Sequence, residues 1–175
     1  FERNSGYGDL LDVPFWVYIP QILGVALGML FNLTGFWTMY LGKIFAMLFF
    51  TGCTFLAIKI IPWGKQIIFV IALLPMTLEL ATSYSYDNVL IALCILLISY
   101  GMYLIYTKEN VNWKDIIIAA MLICMIAPGK MFYFLIGGIF FLIPKRKFAN
   151  AKQFWIVNCG MILLGIITFA IFKFQ

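Results

Sequence analysis

Asp87 is the residue whose neighbours most invite chemistry. It stands in Ser83-Tyr84-Ser85-Tyr86-Asp87-Asn88, a short polar stretch between two apolar runs. Two readings of it are open. As a helix N-cap, its carboxylate takes free N–H groups at the start of the next helix. As a ligand, it holds a divalent metal or a substrate at a membrane surface. Glu79 lies eight residues earlier, about 12 Å along a helix, inside an apolar run. A carboxylate there is costly and faces a cavity or a partner. Lys43 and Lys130 are the candidate partners, and a structural pair and a functional site are equally open. Lys130 follows Pro128-Gly129, between two apolar segments of half the usual length. A lysine at such a break holds an anionic group such as a lipid phosphate, or it snorkels from a helix end. The chain has no His, which removes the commonest general base. Cys53, Cys94, Cys124 and Cys159 lie singly in apolar runs, without metal-ligand spacing.

Composition decides where these residues sit. Of 175 residues, 65% are hydrophobic and 11% charged, and the mean hydropathy is +1.04. A soluble domain carries roughly 25% charged residues. This chain has too few charges to cover a soluble surface, which excludes a soluble enzyme, a disordered chain and a nucleic-acid-binding domain. The expected fold is all-α, a polytopic transmembrane helical bundle forming one integral membrane domain. The net charge of +5 sits in short loops between apolar runs, where it orients the chain in the membrane.

The elements follow from the apolar runs. Residues 1–14 read as a loop. Residues 15–31, with Gly24 and Gly28 in a GxxxG spacing, form a helix that either crosses the membrane or lies along it. Residues 37–61, 66–82, 89–106 and 154–172 read as transmembrane segments. Segment 66–82 contains Pro75, which membrane helices tolerate. Segments 115–127 and 131–143 are short for a span and form either a hairpin or one kinked helix. The chain opens on Phe-Glu-Arg and ends soon after an apolar run, so the expectation is a piece of a longer polytopic protein, whose remainder is then a partner of this part.

Lys59 and Lys65, Lys108 and Lys114, and the cluster Lys145, Arg146, Lys147 and Lys152 mark one side as cytoplasmic. The Ser83–Asn88 turn is then external, as is Pro128-Gly129-Lys130 in a hairpin. The expected location is the cytoplasmic (inner) membrane.

Leu74-Pro75-Met76, the Ser83–Asn88 turn, Lys130-Met131-Phe132-Tyr133 and Ile143-Pro144-Lys145 together resemble a family of bacterial polytopic membrane proteins known only as a domain of unknown function. Tyr18-x-Pro20 is similar as well, and the resemblance covers most of residues 15–150. That family looks like a branch of the GT-C membrane glycosyltransferases, and Ser85-Tyr86-Asp87-Asn88 is similar to the second acidic motif of the oligosaccharyltransferase catalytic subunit. The resemblance implies a GT-C-like N-terminal part, with residues 1–31 in the first external loop. It implies a polyprenyl-phosphate-linked sugar as donor, used in cell-envelope polysaccharide or glycolipid assembly. Asp87 is then catalytic and the candidate metal ligand, with a divalent metal as the expected cofactor. Lys130 neutralises donor phosphate, and Asn88, Ser83 and Ser85 supply hydrogen bonds to substrate. Two departures stand out. No motif identifies a catalytic carboxylate among Glu2, Asp9 and Asp12, and Val89 occupies the position of the motif's second acid. The competing functions are a transporter or flippase for a lipid-linked sugar and a non-catalytic membrane subunit. Membrane lipid is a partner in all three, and nucleic acid in none.

Overall fold

The computed structural model describes residues 14–129, 133–148 and 151–173, the side chains of 133–135, 151, 172 and 173 excepted. The described residues are helical or irregular, with no strand among them. A 3-10 turn, Phe15–Tyr18, leads into α1 (Ile19–Leu30). There follow α2 (Gly35–Ile60), α3 (Lys65–Ala72), α4 (Pro75–Ala81), α5 (Asp87–Tyr106) and α6 (Trp113–Ile126). After 3-10 stretches at Tyr133–Leu142 and Lys145–Lys147, α7 runs over Ala151–Lys173. Three stretches are long and apolar enough to cross a membrane: Gly35–Ile60, Asp87–Tyr106 and Lys152–Ile171. The fold is an all-α, multi-pass membrane protein.

α5 is the axis of the bundle. Its buried residues run from Asn88 to Leu104 and point in all directions, as a helix packed on every side must. One side packs with α6, α7 and the 3-10 stretch through Leu93, Leu97, Ile123, Phe140 and Val157. The other packs with α2 and α3 through Ala92, Ile95, Phe50, Ala57 and Ile68. The rings of Trp63 and Tyr106 meet at 5.8 Å, so α2 and α5 run parallel and finish level. α2 has 26 residues and α5 has 20, so α2 starts about 9 Å beyond α5 at the Asp87 end.

α1 and α2 form a tight antiparallel hairpin. A methyl group on Gly24 would lie 2.5 Å from the Leu41 carbonyl oxygen, and one on Gly28 would lie 2.9 Å from Thr38. The GxxxG pair is thus where the two backbones approach. Asn32 ends α1 at φ 50. Its N–H donates to the Met29 carbonyl and that of Leu33 to the Gly28 carbonyl, both at 3.0 Å, a Schellman ending with Asn in the left-handed position.

Segment 66–82 is two helices. The chain turns at Leu73–Leu74 and Pro75 opens α4, where a missing N–H costs nothing. α6 and the 3-10 stretch Tyr133–Leu142 pack against each other, since a methyl on Gly137 would lie 3.1 Å from Ile123. Tyr133–Leu142 is 3-10 rather than α. At about 2.0 Å per residue, ten such residues reach about 20 Å.

Candidate functional site

The turn before α5 is held by its own side chains. The Ser83 hydroxyl donates to the Leu80 carbonyl at 2.9 Å and accepts from the Ser85 N–H at 3.2 Å. Ser85 Oγ accepts the Asp87 N–H at 3.2 Å and donates to Asp87 Oδ2 at 3.4 Å. Asn88 is fully buried, and its amide donates to the Ala81 carbonyl at 3.1 Å. Asp87 is the first residue of α5, with Tyr86 at the N-cap and no side-chain cap bond. Of the two readings of Asp87, capping falls instead to Ser85, the residue that takes a free N–H of the first turn. Asp87 is left half-buried at the helix start, where an anion is favoured by the helix dipole.

Other elements converge on this corner. Tyr18 arrives from the 3-10 turn, and burial first, then Tyr86 and the Asp87 carboxylate, push its phenol above the ordinary tyrosine range. Trp16 Nε1 donates to the Met125 carbonyl at 3.3 Å, pinning the same turn to the end of α6. A methyl on Gly129 would lie 2.3 Å from Leu90, so the Pro128-Gly129 corner sits on the first turns of α5. Lys130 lies outside the described residues. The Tyr84 phenol, raised by burial, donates to the Met39 carbonyl at 2.5 Å. Gln21 is 2% exposed, and among the described residues neither end of its amide has a hydrogen-bond partner. It lies one turn from both Tyr18 and Gly24.

Glu79 and Lys43 are exposed and form no ion pair with each other. Among the described residues no three His, Cys, Asp or Glu side chains gather as a metal group. As a metal ligand, Asp87 alone would fall well short of the six or more oxygens a hard dication needs. The rest would have to come from substrate phosphates and water.

Beside the corner, α2, α3 and α4 enclose an apolar groove of about 300 Å³. Phe50, Phe55, Phe69 and Leu78 line it, and Ala81 and Thr82 border its end next to Ser83.

The opposite end of the bundle carries a second polar network that the sequence reading did not single out. Asp115, 5% exposed, accepts from Tyr100 at 3.0 Å, from Lys108 at 2.5 Å and from the Asn112 N–H at 2.9 Å. The Lys147 ammonium donates to the carbonyls of Leu104, Ile105 and Lys108, closing the C-terminal end of α5 where a cation is favoured. The signal for Asp115 was Asn112-x-x-Asp115, the spacing of a capping box.

No curated protein and no solved structure matches this chain significantly. The family described as predicted membrane protein DUF2142 matches residues 6–174. The chain belongs to that family of membrane proteins, whose function is unknown.

Proposed function

We propose that this protein is a GT-C-type membrane glycosyltransferase that takes sugar from a polyprenyl-phosphate donor during cell-envelope polysaccharide or glycolipid assembly. The observation that carries the reading is the apolar groove opening beside the turn that presents Asp87. A lipid-linked sugar needs both: a hydrocarbon channel for its chain and, at the channel's end, polar groups for the reacting head. The basic loops support a cytoplasmic side for the opposite end of the bundle, and in this reading the Asp87 corner works at the external face of the inner membrane.

In the reaction, the acceptor hydroxyl oxygen bonds to the anomeric carbon. The bond from that carbon to the phosphate oxygen breaks, and polyprenyl phosphate leaves with the electron pair. Asp87 accepts a hydrogen bond from the acceptor hydroxyl, increases its nucleophilicity and takes up its proton as the new bond forms. Lys130 meets the negative charge growing on the departing phosphate. Tyr18 stays protonated and donates a hydrogen bond in the same corner. Ser83, Ser85 and Asn88 hold the turn and complete its polar lining. Were a divalent cation bound, Asp87 would be the residue of this corner to hold it, and the cation would supply neutralising charge for the departing phosphate.

The test is sugar transfer by the full-length protein in detergent, where transport across a membrane does not occur. Product from a polyprenyl-phosphate sugar supports the reading. Absence of product with every donor, together with substrate uptake in vesicles, overturns it in favour of a carrier. Absence of both points to a non-catalytic subunit.

A further inference from the structure

At the end of the bundle opposite Asp87, a recess of about 500 Å³ with mixed polar and apolar lining lies between the first turns of α6 and α7. Val111, Asn112, Trp113, Lys114 and Gln153 line it. The Val111 N–H donates to the Lys147 carbonyl at 3.0 Å, which holds the Lys145–Lys147 turn against the recess. Lys114 lines it and is exposed, as are Lys145 and Arg146 on the adjoining turn and Lys152 beside Gln153. The Lys145 ammonium sits 5.4 Å from the Trp155 ring centroid and 5.5 Å from that of Phe154.

Little nearby neutralises this charge. Asp115 is buried and engaged with Lys108. Among the described residues Glu109, on the connecting loop, is the exposed acid of this end. Lys147 is committed to carbonyls at and just beyond the end of α5, so among the described residues of this turn and the two helix starts Lys114, Lys145, Arg146 and Lys152 are the exposed cations left to meet a ligand. Trp113 and Trp155 are also exposed, at 66% and 53%. Exposed tryptophans at the ends of apolar helices mark the level of lipid headgroups. A small soluble anion would use the lysines and leave the indoles idle. A phospholipid uses both, its phosphate among the cations and its glycerol and upper chain against the rings.

We propose that this recess binds the headgroup of an anionic phospholipid from the leaflet it faces, with Lys114, Lys145 and Arg146 on the phosphate and Trp113 and Trp155 beside the chains. The site is separate from the Asp87 corner and does not depend on what that corner does.

The test is retention of dioctanoyl-phosphatidylglycerol against dioctanoyl-phosphatidylcholine by the full-length protein in neutral detergent, read by native mass spectrometry. The expected preference for the anionic lipid is about tenfold or more, since each cation near an anionic surface contributes several-fold. Combining Lys114→Gln, Lys145→Gln and Arg146→Gln should abolish that preference at an unchanged Tm. Combining Lys59→Gln and Lys65→Gln, at the same end but away from the recess, should leave it. Equal retention of the two lipids, survival of the preference in the triple variant, or equal loss in the Lys59/Lys65 control would overturn the proposal. So would displacement of the lipid by millimolar inorganic phosphate, which would make the recess a site for the free anion.

Discussion

The Tyr84 hydroxyl crosses from the turn before α5 to the Met39 carbonyl of α2, passing directly over Gly42. A methyl group on Gly42 would lie 2.2 Å from that hydroxyl. The turn that presents Asp87 is therefore fixed to the neighbouring helix as well as to its own. Tyr84→Phe should cost about 1 kcal/mol, seen as a lower Tm. Gly42→Ala should push the ring off Met39 and cost at least as much. An unchanged Tm in both variants would mean the tether carries no load.

The α1–α2 hairpin rests on Gly24. Its added methyl would meet backbone rather than a side chain that can swing away, so the helices themselves must part. Gly24→Ala should destabilise by about 1–3 kcal/mol. Gly52→Ala, where nothing lies within 4 Å, is the matched control on α2 and should be neutral or slightly stabilising.

Gln21 buries an amide with no hydrogen-bond partner among the described residues. Gln21→Leu should raise stability by about 1–3 kcal/mol, the usual cost of an unpaired buried polar group. A fall in Tm would show that something satisfies the amide, and would mark Gln21 as part of the polar corner formed by Tyr18 and Asp87.

At the basic end, Lys147→Met should expose the lost closure of α5. Removing a charged donor from three carbonyls costs about 1.5–3 kcal/mol. Lys65→Met, at the exposed start of α3, should stay within about 0.5 kcal/mol of the parent. Equal effects of the two would contradict the capping role.

The apolar runs carried most of the fold. The uncharged stretch from Val89 to Tyr106 is the buried helix α5, and the long run beginning at Trp37 is α2, because helices this apolar have few alternatives. Pro75 was harder to place. It was compatible with a kinked span, but it opens a new helix, and the missing N–H that permits one permits the other. The Ser-x-Ser-x-Asp spacing revealed the turn without showing which side chain caps, since Ser85 and Asp87 are both good caps. Tyr18 beside Asp87 was illegible, because 68 intervening residues fold before the two can meet. The Lys147 closure of α5 is a contact of the same long-range kind.

The external placement of the Asp87 end is separately testable. On a Cys-free background, Thr34→Cys lies at the exposed hairpin tip near that end and Arg146→Cys at the basic end. A membrane-impermeant thiol reagent applied to intact cells should label the first and spare the second. The reverse pattern would put the Asp87 corner in the cytoplasm and remove the proposed site from its lipid-linked donor.

The central claim is that Asp87 acts on substrate. The direct measurement is sugar transfer from a polyprenyl-phosphate donor by full-length Asp87→Ala protein, compared with the parent and with Ser85→Ala. Asp87→Ala should abolish transfer at unchanged membrane yield and Tm. Ser85→Ala should keep reduced activity, because it loosens the turn and leaves the carboxylate in place. Normal transfer by a well-folded Asp87→Ala protein would contradict the account and return Asp87 to a structural place at the start of α5.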